Sequence, residues 1–229
     1  MAISNEMIKK LRESTGAGMM DCKRALEESG GSMEAAVEYL RKKGAAVAQK
    51  RSDRAAKEGV IVTRVSPDGK TGVIVEVNCE TDFVGRSDAF TAFADAVAGA
   101  IADHRPRTLD ELRALRTAGG RTVADLTNDL LAKVGEKIEI RRFSVMESTE
   151  GIVYSYTHLG SKIGVLVECV NIAPGTAVGR DVAMQIAAMN PSTVAREEVA
   201  KEIVERELDI YRTQAKNEGK PPQIVDRIA

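Results

Sequence analysis

The segment Gly72-Val73-Ile74-Val75-Glu76 recurs as Gly164-Val165-Leu166-Val167-Glu168, and each copy closes a strand-like run that feeds an Ala-rich helical pattern. A chain that repeats a strand–strand–helix unit is expected to build an α+β core of two similar subdomains. In the first copy, residues 59–65 and 73–77 flank Ser66-Pro67-Asp68-Gly69, which is hairpin turn chemistry. A helix is then predicted from Ser87 to Asp103, with Phe90, Phe93, Val97 and Ile101 along one stripe. Arg105-Pro106 breaks it, and Thr108 and Glu111 have capping-box spacing before Leu112 and Leu115. A further helix runs from Thr122 to Val134 through Val123, Leu126 and Leu130, and Gly135 closes it. Strands return at residues 138–140, 143–145, 152–157 and 163–170. The last is apolar almost throughout, the pattern of a central strand covered on both faces. Val178 to Met189 reads as the helix of the second copy.

Ahead of this core the spacing predicts three short helices within residues 1–50. They carry Ile3, Met7, Ile8 and Leu11, then Met19, Cys22, Ala25 and Leu26, then Met33, Val37 and Leu40 after an N-cap at Ser32. So small a core suits a docking unit better than an enzyme. Residues 41–57 hold seven cations (Arg41, Lys42, Lys43, Lys50, Arg51, Arg54, Lys57) against the single acid Asp53. They read either as a solvated helix extension and linker or as a patch for an acidic partner or RNA. Residues 196–218 read as a charged helix with two apolar stripes, Val199, Ile203 and Ile210 beside Val204, Leu208 and Tyr211, which call for a partner helix. Gly219 to Pro222 is the expected turn, and residues 223–229 begin a return arm too short to cover its mate, so the chain reads as truncated or as reliant on another chain. The expected division is a three-helix docking module (1–50), a basic linker (51–58), two core subdomains (59–136 and 137–191) and a helical hairpin arm (192–229).

Composition narrows the function. Across 229 residues, 33 Lys and Arg nearly cancel 34 Asp and Glu, a net charge of −1 that lacks the global signature of a non-specific nucleic-acid binder. Four Tyr, four Phe and no Trp leave few platforms for base stacking. No apolar run reaches the ~20 residues of a membrane helix, and the N-terminus has no signal-peptide pattern. Cys22, Cys79 and Cys169 lack C-x-x-C spacing, so neither a disulfide framework nor a zinc site is expected, and a reducing cytoplasm is. No cofactor, metal or bound nucleotide is expected. Two histidines, His104 and His158, stand in unlike segments, and no Gly-rich loop joins a strand to a helix as a phosphate cradle does. Cys79 beside Glu80 and Asp82 would have its thiolate disfavoured, which ranks a cysteine-dependent enzyme last.

The unusual segment is Asn78-Cys79-Glu80-Thr81-Asp82-Phe83-Val84, at a strand-to-helix corner. Thr81 or Asp82 could cap the next helix with Phe83 as a hydrophobic staple. Alternatively, Phe83 is an exposed aromatic beside a carboxylate, a wedge for another protein.

Together with Thr15-Gly16-Ala17-Gly18-Met19-Met20-Asp21-Cys22-Lys23 and His158-x-Gly-x-x-Ile163-Gly164-Val165-Leu166-Val167, this segment resembles the bacterial translation elongation factor Ts family, in order and across essentially the whole chain. The resemblance implies a guanine-nucleotide exchange factor for elongation factor Tu, not a bond-making enzyme. It implies an N-terminal fold similar to ubiquitin-associated domains and a core of two related subdomains. By the same resemblance Thr81, Asp82, Phe83 and Val84 enter the GTPase near its Mg²⁺ and phosphate site, with Phe83 the wedge and Asp82 disturbing the Mg²⁺-supporting network. Lys23, Val134, Gly135 and His158 match further partner contacts. Members commonly continue past the Gly-Lys-Pro turn, and here the hairpin arm is a candidate dimer surface. The competing reading is a ribosome- or RNA-associated module that uses residues 41–57.

Overall fold

The computed structural model describes residues 3–50, 53–173 and 175–221 and divides into two compact units, Met1–Ala187 and Ala188–Ala229. The first unit opens with the three expected helices, α1 (Asn5–Thr15), α2 (Met19–Glu28) and α3 (Met33–Lys50). Ser4 caps α1 by accepting from the Met7 amide, and Ser32 Oγ accepts from Ala35 N at the start of α3. Ile8, Leu11, Cys22, Ala25, Leu26, Ala36 and Leu40 form the small core. One expectation is corrected: Met19 is exposed, as is Met20. Only Cys22, Ala25 and Leu26 of α2 are buried, so its first turn projects past the hydrophobic centre. The basic residues 41–50 continue α3 as a helix extension.

The core begins with an antiparallel sheet of β1 (Glu58–Val65), β2 (Thr71–Cys79) and β3 (Glu139–Glu147), in the order β1-β2-β3. Alternation along β2 turns Val73, Val75, Val77 and Cys79 to one face, where Phe90, Phe93, Val97 and Ile101 of α5 (Asp88–His104) cover them. At roughly 1.5–3 kcal/mol per fully buried large apolar side chain, this stripe is a principal source of the unit's stability. Helices α6 (Leu109–Ala114) and α7 (Val123–Val134) complete that core. Thr122 and Asp125 form a capping box at the start of α7, and Gly135 ends it in the left-handed conformation. Where α3 crosses α7, Gly44 brings the backbones together, since a Cβ there would lie 3.4 Å from the Asn128 carbonyl oxygen.

β4 (Ile152–Thr157) and β5 (Gly164–Cys169) form a second antiparallel hairpin followed by α8 (Val178–Met189), the expected second strand–strand–helix copy. The hairpin lies against the face of the first sheet opposite α5. The two glycines that open the repeated motif mark the contact. A Cβ on Gly72 would come within 2.5 Å of Val153 Cγ1, and one on Gly164 within 2.5 Å of Ile61 Cγ2.

Pairing departs from expectation twice. β3, assigned by sequence to the second subdomain, hydrogen-bonds to β2 in the first sheet, because apolar alternation identifies a strand without naming its neighbour. β5 is not a central strand either, since among the described residues it pairs with β4 alone. Its apolar run reflects two covered faces: Leu166 meets the first sheet at Gly72, and Val167 lies opposite Tyr154, whose ring packs on α8 at Gly179.

In the second unit a 3-10 turn at Arg196–Glu198 precedes α9 (Lys201–Asn217). The single helix expected over 196–218 is interrupted because Val199 and Ala200 are extended. Ile203, Val204, Ile210 and Tyr211 are exposed along α9, and Gly219 turns the chain in the left-handed region. The expected return arm, residues 223–229, lies outside the described residues. No described helix is long and apolar enough to cross a membrane.

Candidate functional site: the corner between β2 and α5

β2 ends at Cys79, and a single helical turn, α4 (Asp82–Gly85), connects it to α5. Thr81 takes the extended N-cap conformation, and its hydroxyl accepts from the Val84 amide at 3.4 Å. This fixes which side chains point where. Val84 packs on the core, Gly85 is buried, and Asp82 pairs with Arg86 at 3.2 Å. Phe83 is thrown outward and is 84% exposed, so the cap belongs to Thr81 and the ring is no staple. An aromatic ring left in water on an ordered turn forgoes the burial that would stabilise its own fold and is available to another surface.

The turn is held from across the fold. Glu136, immediately after Gly135, accepts from the Thr81 amide at 3.0 Å through Oε2 and from the Thr81 hydroxyl at 2.6 Å through Oε1. Glu80 reciprocates, accepting from the Lys137 amide at 2.7 Å and from Arg54 Nη1 at 3.1 Å. Two segments about fifty residues apart therefore exchange carboxylate–amide bonds, each stronger than a neutral pair. Val134 and Gly135 stand beside the corner for this reason, and the left-handed Gly135 (φ 73°) turns the chain so that Glu136 reaches it. Sequence reasoning missed Glu136 and Lys137 and gave Glu80 and Arg54 no part in holding the corner, since no local pattern announces bonds of such separation.

His158 lies in the β4–β5 turn, its Nδ1 2.8 Å from the Tyr156 hydroxyl and its amide bonded to the Ile163 carbonyl. Lys162 of the same turn pairs with Glu58 at 2.5 Å, and Glu58 stands opposite Cys79 in the ladder. This turn thus joins the corner at one end of the β1–β2 ribbon, and it carries Leu159, which is 89% exposed and was not anticipated. Lys23 is elsewhere, on α2, exposed and 3.8 Å from Glu27.

The Cys79 thiol is buried and donates to the Thr81 carbonyl at 3.1 Å. Burial first, and then the negative charge of Glu136, push its pKa from an ordinary 9.0 to about 11. That is the reverse of an activated nucleophile. Because the folded pKa is the raised one, the neutral thiol contributes its full stability below pH 9.0 and loses it as pH climbs towards about 11. Thermal melts across that window should show the wild type losing more stability than Cys79→Ala.

Of the basic stretch, Lys42 pairs with Glu38 at 2.8 Å, Lys43 with Asp21 at 2.5 Å and Arg54 with Glu80 at 3.1 Å, so these cations are engaged within the fold. The Lys50 side chain and Arg51 lie outside the described residues. Among the described residues no three His, Cys, Asp or Glu side chains are grouped to hold a metal ion.

Residues 80–229 match the family described as elongation factor TS. Elongation factor Ts of Prosthecochloris aestuarii is 46% identical over 231 residues, covering 99% of this chain and 80% of that protein. Elongation factor Ts of Clostridium perfringens is 48% identical over 229 residues, with 99% and 76% covered. The same factor from Chlorobaculum tepidum is 46% identical over 231 residues, with 99% and 80% covered.

Proposed function

The chain belongs to the elongation factor Ts family, and on that premise we propose that it is a guanine-nucleotide exchange factor that binds elongation factor Tu and drives GDP from it with the Phe83 corner. The physics is a linkage. A protein that binds the nucleotide-free GTPase more tightly than the GDP-bound form weakens GDP by the same factor. No bond is made or broken, so no nucleophile or general base is required, and the factor acts without a cofactor or a nucleotide of its own.

The observation that carries this reading is the ring of Phe83, 84% exposed on a turn whose other side chains are capped, paired or packed. In the proposed complex Phe83 inserts between side chains of the GTPase near its phosphate site. Asp82, one residue away, disturbs the groups that support Mg²⁺ there. Without that charge the diphosphate is less well neutralised, and GDP leaves. The turn bearing His158 and the α7 end at Val134-Gly135 supply neighbouring contacts. Lys23, on the three-helix module, docks on a second region of the partner. The same proposal has the factor working in the cytoplasm, with the helical hairpin arm that contains α9 as a surface for dimerisation.

Stopped-flow release of a fluorescent GDP analogue from elongation factor Tu tests the proposal. Release should accelerate as this protein is titrated in, and a flat titration would refute it. Asp82→Ala separates the two corner residues. It should chiefly change how exchange depends on free Mg²⁺, flattening the inhibition that added Mg²⁺ exerts. A Mg²⁺ dependence superimposable on that of the wild type would remove Asp82 from its role.

A further inference from the structure

We infer that Glu136 is the positioning residue that holds the Phe83 corner in its exchange-competent shape, with Glu80 as its reciprocal partner. The inference rests on the exchange reading given above. Corner and α7 loop contact each other as two carboxylates, each bound to a backbone amide of the opposite segment: Glu136 to Thr81 N at 3.0 Å and Glu80 to Lys137 N at 2.7 Å. Glu136 uses both oxygens on one residue, since its second bond is to the Thr81 hydroxyl at 2.6 Å. That hydroxyl is the cap of α4, the turn that points Phe83 outward.

The arrangement differs from an ordinary surface ion pair. Its acceptors are charged and its donors are backbone groups, so it fixes the course of the chain and not merely two side-chain tips. α4 has four residues and cannot be stable as an isolated helix, since nucleation of so short a segment is unfavourable. Something outside it must hold it: the core contacts of Val84 and Gly85, the Cys79 thiol and Ser87 hydroxyl that donate to the Thr81 and Val84 carbonyls, and, from across the fold, the two bonds to Glu136. A wedge that must be ordered as GDP is driven out adds that ordering to the barrier for release, whereas a preset one does not. Glu136 thus acts on the partner only through the turn it holds, and chiefly through Phe83.

The test is a double-mutant cycle read by GDP release from elongation factor Tu, using the full chain. Glu136→Ala should lower the maximal exchange rate about tenfold, the scale expected when a preset contact must instead be ordered in the complex. Its half-saturating concentration should move little, because the docking module is untouched. In a Phe83→Ala background the same substitution should cost much less, since the ring it chiefly positions is gone. Glu136→Gln should keep most of the rate, because its amide oxygen can accept from Thr81 N and its amino group can donate to Thr81 Oγ1. Amide hydrogen exchange at Thr81 should accelerate in Glu136→Ala alone.

Equal losses in both backgrounds would overturn the inference while leaving the exchange reading standing. So would a Gln variant as damaged as Ala, which would make the charge itself the working group, or an unchanged rate in Glu136→Ala. If Phe83→Ala alone left release unaffected, the wedge assignment would fail and this inference with it, whereas a flat titration of the wild type would sink the exchange reading itself.

Discussion

Phe83→Ala should slow factor-promoted GDP release by roughly thirtyfold while leaving the thermal melt of the free protein almost unmoved. The rate effect follows from the ring's role as a buried anchor in the complex, where truncation of such a residue removes about 2 kcal/mol or more. At about 1.4 kcal/mol per factor of ten, that is a thirtyfold loss. The absence of a stability effect follows from its surroundings. Surface substitutions away from special features stay within about 0.5 kcal/mol. Phe83 neither caps α4 nor belongs to the core, for Thr81 does the first and Val84 the second. Both halves can be read on one protein preparation, by stopped-flow fluorescence and by circular dichroism. A variant that melts early would show the ring supporting its own fold, and the wedge assignment would fall.

The opposite signature is expected at Gly59, which pairs with Asn78 at the foot of the same corner. Its φ of 145° is one that side chains rarely adopt, and a Cβ there would stand 2.0 Å from the Val77 carbonyl oxygen and 2.7 Å from the Asn78 Cα. Those atoms are backbone inside a ladder and cannot swing aside. Backbone strain and overpacking each cost about 1–3 kcal/mol, so Gly59→Ala should destabilise the first unit by roughly 3–5 kcal/mol. For a domain of this size that lowers the melting temperature by about 10 °C. Exchange activity should fall with the folded fraction and recover on cooling. A melt within a degree or two of the wild type would contradict the close approach.

Local chemistry carried most of the elements into the sequence reading. The capping pair Thr108 and Glu111, the turn at Ser66–Gly69 and the stripe through Phe90 and Ile101 announce themselves within a few residues, and the structure has each. What failed was long-range. The partner of β3 could not be read, because a strand's period says which face is buried and not which edge is taken. The centrality of β5 was misread because helix and sheet can cover two faces of an edge strand. At the corner, the segment from Asn78 to Val84 was conspicuous by composition, with an aromatic set among acids. Its two possible readings, staple or wedge, separate only once the course of the backbone shows that Thr81 takes the cap and Phe83 does not. Glu136 was invisible for the same reason as β3: its partner is fifty-five residues upstream.

Helix α7 touches the three-helix module near its middle, where Asn128 and Ala132 meet Gly44, and reaches the Phe83 turn through Glu136 just beyond its end. Its twelve residues make a rod of about 18 Å. Under the proposed function, two contact regions fixed to one short strut make a chelating ligand: once either has engaged, its companion meets the partner at a high effective concentration, with no flexible tether to dilute it. Severing the strut should therefore leave two pieces, each of which binds far more weakly than the intact molecule.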